Sequence, residues 1–185
     1  ALGLTCQRST CLVWERDGGR PLTRALSWQD TSATDRVEAL AGHAEEVAER
    51  TGLRLSPYYA AAKLSRLLDE LPGGRRRADA GELVAGTLDA FLAQRLTGEA
   101  STEPGHAGRT LLFALEHGAW DPELCTLFGV PPEILPEILP SAGDRGGWRG
   151  IPVTASAGDQ QIFDVQRQEG TVGDLRIELG GSEPD

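Results

Sequence analysis

The sequence is poor in residue types on which several classes of protein depend. Its 185 residues include no methionine, one lysine, three cysteines and three histidines, and aromatic residues make up 5%. No apolar run reaches the roughly 18 residues of a membrane-spanning helix, so we expect no membrane association, and no signal peptide is recognisable. The net charge is −10. Nucleic-acid partners are therefore not expected, because they require a basic excess.

The cysteines and histidines show no metal-ligand spacing, so we predict no metal site on these side chains. An odd number of cysteines (Cys6, Cys11 and Cys125) favours free thiols in a reducing compartment, and we therefore expect a cytoplasmic protein. The chain opens on an apolar strand-like run without an initiator methionine, and we expect it to be cut at its N-terminus.

Hydrophobic periodicity predicts an α/β protein, because strand-like runs precede and follow a central set of amphipathic segments. Strands are predicted over 2–6, 11–14, 25–28, 82–87, 151–157 and 175–179. Helices are predicted over about 31–51, 60–71, 88–97, 122–128 and 159–165. Residues 99–108 and 141–150 are predicted to be loops, and the proline-spaced stretch 132–140 is predicted to form two single turns.

The most distinctive local pattern is Ala157-Gly158-Asp159-Gln160-Gln161, in which an acidic residue ends an apolar strand where a helix begins. In open α/β sheets, ligands bind at this edge. Asp159 can therefore act as a general base toward a substrate hydroxyl. The alternative is that Asp159 only caps the helix, for which aspartate is also a preferred residue.

Three other residues follow a strand or a break in the pattern. Arg8 can bind a polyol or an anion through its planar guanidinium, or form a surface salt bridge. Trp28 can stack on the carbon face of a sugar, or belong to the core. Tyr58 precedes a helix and can line a site, or pack half-buried against the fold.

Taken in order, the motifs resemble those of the FGGY carbohydrate kinases, and within them the glycerol kinases. The similarity covers residues 2–161 almost continuously. It includes the stretches GLTCQRSTCLVW, ALSWQD, SPYYAAAK, AGRTLLF and GIPVTASAGDQQ. This resemblance implies a ribonuclease-H-like fold of the actin/hexokinase type, with two domains around a cleft. It also implies transfer of the γ-phosphoryl group of ATP, with Mg²⁺, to a terminal hydroxyl of a polyol such as glycerol, giving glycerol 3-phosphate.

The resemblance assigns roles to individual residues. Asp159 matches the catalytic base of the family, and the polyol-binding positions correspond to Arg8, Ser9, Trp28, Tyr58 and Gln160. A weaker similarity at 174–182 suggests a phosphate loop at Gly180, Gly181 and Ser182. We therefore expect 1–165 to be an incomplete first domain and 166–185 to be the possible start of the second domain. A homo-oligomer is compatible with the family.

The sequence also departs from the family pattern. Ser9 stands where glycerol kinases usually carry a glutamate that contacts the polyol, and the Asp-x-Gly-Thr phosphate loop is missing. The isolated chain is therefore expected to be inactive. Two alternatives to a glycerol kinase remain: a kinase for another polyol or a ketose, and a truncated product without catalysis.

Overall fold

The structure is a computed structural model that describes residues 1–161, and it is a mixed α/β fold. The strands are β1 (Leu2–Cys6), β2 (Cys11–Glu15), β3 (Leu83–Thr87), β4 (Ser101–Thr102), β5 (Phe113–Ala114), β6 (Ala119–Trp120), β7 (Glu137–Ile138), β8 (Gly147–Trp148) and β9 (Ile151–Gly158). The helices are α1 (Thr34–Ala39), α2 (Ala44–Thr51), α3 (Ala60–Glu70), α4 (Gly74–Asp79), α5 (Leu88–Thr97), α6 (Pro104–Ala107) and α7 (Pro122–Phe128). Single 3₁₀ turns occur at Ala41–His43 and Pro132–Ile134.

Two strand pairs form the frame around the site. Strands β2 and β3 are antiparallel, with Val13 opposite Ala85. Strands β1 and β9 are parallel, with Cys6 opposite Gly158, and β8 pairs antiparallel with β9. The carboxyl ends of β1 and β9 therefore meet at one edge, although about 150 residues separate them in the chain.

Helix α3 supplies the centre of the hydrophobic core. Its residues Ala60, Leu64, Leu67 and Leu68 recur at spacings of three and four, and all are at least 95% buried. Removing each leucine side chain from water contributes roughly 1.5–3 kcal/mol, so this face fixes α3 against its neighbours. Within residues 1–161, no helix is both long and apolar enough to span a bilayer.

The predicted helix over 31–51 is interrupted. Helix α1 ends before the 3₁₀ turn at Ala41–His43, and α2 then continues to Thr51. Gly42 lies at the centre of this interruption, where its backbone freedom costs about 0.5–1 kcal/mol relative to alanine in a helix. The predicted stop at Gly52 is confirmed, because this residue ends α2 with a left-handed φ of 68°.

The third strand predicted over 25–28 is wrong, because only Leu26 forms an isolated bridge to β2. The carbonyl of Ser27 accepts a hydrogen bond from the Lys63 ammonium, and the amide of Trp28 donates to the Thr10 hydroxyl. These two backbone groups are thus hydrogen-bonded to side chains instead of to a neighbouring strand.

Three further stretches differ from the prediction. The loop predicted over 141–150 contains β8, which pairs with β9. The loop predicted over 99–108 contains β4 and α6, and β4 pairs in parallel with β7. In the stretch 132–140, the first turn is confirmed as 3₁₀, whereas the second is wrong because its residues form β7. The predicted strand 175–179, most of the predicted helix 159–165, the boundary at 165/166 and the glycines of 180–182 lie outside the described residues.

Candidate active site

A cavity of about 180 Å³ opens at the edge where β1 and β9 end. All six predicted site residues of the described part line it, together with three that the sequence analysis did not single out. The predicted ones are Arg8, Ser9, Trp28, Tyr58, Asp159 and Gln160, and the additional ones are Gln7, Tyr59 and Arg109. The structure therefore brings together side chains from five separate segments of the chain, and their roles stay a prediction.

The parallel pairing of β1 and β9 sets the distance between Arg8 and the Asp159 segment. Arg8 follows β1, and its Nη2 donates a hydrogen bond of 2.9 Å to Oε1 of Gln160. Gly158 makes this approach possible, because a Cβ at that position would lie 2.7 Å from Cδ of Arg8. The glycine before Asp159 thus leaves the space in which the Arg8 side chain crosses the strand end.

Asp159 lies half-buried at the end of β9, where the backbone turns into a helix. Its Oδ1 accepts a hydrogen bond of 2.9 Å from the amide of Gln160, which orients the carboxylate. The side chain of Gln161 bonds back to the amide of Gly158 at 2.9 Å and closes the turn. A carboxylate held in this way beside a cavity can accept a proton from a bound hydroxyl.

Trp28 and Tyr58 are unusually exposed for their size, at 44% and 51%. For Trp28, this exposure argues against the alternative that it belongs to the core, because large aromatic side chains in a core are mostly buried. For Tyr58, an exposure of 51% is compatible with both alternatives, lining a site or packing half-buried against the fold. Both flank the cavity from loops, one before α1 and the other just before α3. An indole and a phenol placed in this way offer apolar surface to the carbon skeleton of a polyol, and a hydroxyl to its oxygens.

Ser9 lines the cavity but is 95% buried. Its hydroxyl donates a hydrogen bond of 3.0 Å to the carbonyl of Arg109, and its φ of 64° lies in the left-handed region. The hydroxyl is therefore already engaged with the protein. Among residues 1–161, Asp159 is the only carboxylate that lines this cavity.

Arg109 and Tyr59 are the functional candidates that the sequence analysis missed. The guanidinium of Arg109 lies 5.0 Å from the centre of the Tyr59 ring, within the range of a cation–π contact. Arg8 and Arg109 thus line the same cavity as the Asp159 carboxylate. The signal available in the sequence was the Ala-Gly-Arg-Thr motif, which carried the resemblance but was given no role.

Behind the cavity, Cys6, His106 and Asp89 form a polar cluster. Sγ of Cys6 lies 4.0 Å from Nε2 of His106, whose Nδ1 lies 3.4 Å from Oδ1 of Asp89. Burial, together with the negative charges of Asp89, Asp159 and Glu103, raises the pKa of the Cys6 thiol to about 12. The thiol is therefore protonated near neutral pH and is a poor nucleophile, despite its histidine neighbour. In residues 1–161, no group of three acidic, cysteine or histidine side chains could hold a metal ion.

The sequence of this chain is similar to those of known carbohydrate kinases. The model of the FGGY family of carbohydrate kinases, N-terminal domain, matches residues 1–164. Glycerol kinase of Alcanivorax borkumensis is 46% identical over 171 residues, covering 87% of this chain and 34% of that protein. Glycerol kinase of Methylobacterium nodulans is also 46% identical, over 89% of this chain and 35% of its own length. The chain thus spans about a third of the length of these relatives.

Solved structures show the same fold. The crystal structure of Plasmodium falciparum glycerol kinase with ADP superposes with a TM-score of 0.85 at 29% identity, covering 90% of this chain and 35% of that one. A xylulose kinase from Rhodospirillum rubrum gives a TM-score of 0.76 at 20% identity, over 90% of this chain and 36% of that one, and shows the fold alone.

The fold is that of the carbohydrate kinases, which confirms the predicted α/β, ribonuclease-H-like class. With the family model matching most of its length, the chain belongs to the FGGY family of carbohydrate kinases and corresponds to its N-terminal domain.

Proposed function

We propose that the protein containing this chain phosphorylates a polyol at the expense of ATP, with glycerol as the first candidate substrate. The observation that carries the proposal is the convergence of Arg8, Trp28, Tyr58 and Asp159 on one cavity. At about 180 Å³, this cavity has room for a substrate of a few carbon atoms.

Each group at the cavity fits a step in the transfer of a phosphoryl group to a hydroxyl. The Arg8 guanidinium and the Gln160 amide offer hydrogen bonds to substrate oxygens, while Trp28 packs against the carbons. Asp159 orients the terminal hydroxyl and accepts its proton as the oxygen bonds to the γ-phosphorus of ATP, while the bond from this phosphorus to the β,γ-bridging oxygen breaks and ADP leaves. Phosphoryl transfer depends mostly on positioning and charge stabilisation, so a single well-oriented carboxylate suffices as the base.

The residues of 1–161 fit the acceptor side of this reaction and do not by themselves hold the donor. The only carboxylate that lines the cavity is Asp159, and this part of the chain contains no cluster that could bind a metal. ATP and Mg²⁺, implied by the family, would therefore be held with residues outside the described part. The proposed phosphate contact at Gly180, Gly181 and Ser182 belongs there. The three thiols are free, which supports a reducing compartment such as the cytoplasm.

A second candidate is a kinase for a longer polyol or a ketose. The observation that favours it is Ser9, whose short side chain is bonded to the Arg109 carbonyl and leaves the cavity without a second carboxylate. Compared with a glutamate at this position, serine leaves more room and binds hydroxyls less strongly. A substrate panel of glycerol, erythritol and a five-carbon ketose, with ADP release as the readout, distinguishes the two candidates.

The proposed base is tested by replacing Asp159 with asparagine in the complete protein that contains this chain. We expect Asp159→Asn to lower kcat by roughly 10²–10⁴-fold, the usual contribution of a general base. The matched control is Asp79→Asn, which makes the same chemical change on an exposed residue at the end of α4. Unchanged kcat in the Asp159 variant would remove this residue from the mechanism. Absence of ADP release with every acceptor in the panel would reject the proposed activity.

A further inference from the structure

Lys63 is the only lysine in the sequence, and its side chain is fully buried on α3. Its ammonium donates hydrogen bonds to three backbone carbonyls: Ser9 at 3.0 Å, Ser27 at 2.8 Å and Tyr58 at 3.0 Å. An ammonium group has three donors and no acceptor. All three hydrogens of Lys63 are thus accounted for by carbonyl oxygens from three different segments of the chain.

Each of these three segments carries a residue that lines the cavity. The first carries Arg8 beside Ser9, the second carries Trp28 directly after Ser27, and the third carries Tyr58 itself. Because their side chains reach the cavity from separate loops, their relative positions depend on what joins the loops. The ammonium nitrogen of Lys63 is one atom that is hydrogen-bonded to all three segments.

Packing alone does not explain a lysine at this position. Burial lowers the pKa of Lys63 by removing its charge from water, and the nearby Cys11 and Asp30 oppose this shift only in part. A charged group so buried is costly, and an apolar side chain of similar length would fill the same space without that cost. Arginine would not substitute simply, because its donors lie in a planar fork rather than around one nitrogen.

We propose that Lys63 is a positioning residue of the polyol site, holding the three loops at the spacing in which Arg8, Trp28 and Tyr58 face the cavity. The inference rests on the proposed function of that cavity. Asp159 directly follows β9 and receives no hydrogen bond from Lys63. Loss of the ammonium should therefore weaken substrate binding more than the chemical step.

The test compares Lys63→Met, which keeps the length of the side chain but removes all three donors, with Lys63→Gln, which keeps two. In the complete protein we expect Lys63→Met to raise the KM for glycerol at least tenfold while kcat changes less than threefold. Lys63→Gln should fall between this variant and the parent. Ser65→Ala is the matched control, because Ser65 is a buried polar residue of the same helix whose hydroxyl bonds Arg36 and Arg75 rather than the site.

A second readout does not require a substrate. Amide hydrogen exchange should accelerate in residues 7–10, 26–29 and 57–59 of Lys63→Met, while α5 and α7 keep their protection and Ser65→Ala leaves the three segments unchanged. If the parent phosphorylates no polyol, the proposed function fails, and the exchange experiment still decides whether Lys63 holds the loops. Unchanged exchange together with unchanged KM would overturn the inference. So would global unfolding of both Lys63 variants while Ser65→Ala folds, because Lys63 would then serve the fold as a whole.

Discussion

Replacing Ser9 by glutamate tests how the cavity selects its substrate. The change removes the hydrogen bond from Ser9 to the Arg109 carbonyl, a neutral interaction worth about 1 kcal/mol. It introduces a charged acceptor for substrate hydroxyls, worth about 1.5–3 kcal/mol, beside the guanidinium groups of Arg8 and Arg109. The backbone cost at a φ of 64° is similar for both side chains. Because the bond to the Arg109 carbonyl is lost in the free and the substrate-bound variant alike, it does not change KM. A charged acceptor is worth about 0.5–2 kcal/mol more than a neutral one, which predicts a glycerol KM about 2- to 30-fold lower in Ser9→Glu.

The assay is steady-state phosphorylation by the complete protein at saturating ATP, with erythritol measured in parallel. Ser9→Gln is the control, since it has the size of glutamate without the charge. We expect only the glutamate variant to bind glycerol more tightly, and the parent to discriminate less against erythritol. If glutamine and glutamate shift the KM equally, the reasoning from charge is refuted. If glutamate raises the KM, residue 9 does not contact the substrate.

Three further predictions concern the glycine beside Asp159 and the cysteines. Gly158→Ala should raise the polyol KM by about 10- to 100-fold, because the new Cβ displaces the Arg8 side chain. Gly3→Ala in the paired strand β1 is the control, since its Cβ would meet only an ordinary contact at 3.8 Å. Burial raises the pKa of all three thiols from about 9 to about 12, so iodoacetamide at pH 8 should alkylate them about 10³-fold more slowly in the folded protein than in denaturant; comparable rates would contradict this. Because the folded state holds these thiols protonated to a higher pH than the unfolded state does, their contribution to the free energy of unfolding should be fully present below pH 9. It should fall as the pH rises from 9 toward 12, as measured by urea titration.

Among the site residues predicted from sequence, Arg8 and Asp159 are those adjacent to strand ends, whereas Trp28 and Tyr58 lie in loops. Arg8 and Asp159 each follow an apolar run, and the parallel pairing of β1 and β9 then places them at one edge. Arg109 could not be found in this way, because its position depends on α6 and β4, whose few residues carry no periodicity. The short strand β4 exists only because β7, about 35 residues later, pairs with it.

The position of the Lys63 ammonium could not be predicted from sequence, for a different reason. On a helical wheel a lysine is normally assigned to the solvated face, and the apolar neighbours of Lys63 could not show where its ammonium lies. Its three acceptors come from residues 5, 36 and 54 positions away. The same distant contacts replaced the strand predicted over 25–28 by a loop. Side-chain bonds to the backbone of remote segments are not visible in local patterns, and here they determine both the fold and the cavity.

The pairing of β1 with β9 also determines when this site can form during synthesis. β1 leaves the ribosome well before its partner strand, which begins at Ile151. At about 5–20 residues per second, the ribosome needs roughly 8 to 30 s to make the intervening chain. During that interval the β9 side of β1 has no partner strand, and such an unpaired edge invites pairing with other chains. The pairing of β1 with β9 that brings Arg8 and Asp159 together is therefore absent during this interval. A chaperone that binds the nascent chain would protect it from aggregation most in that time.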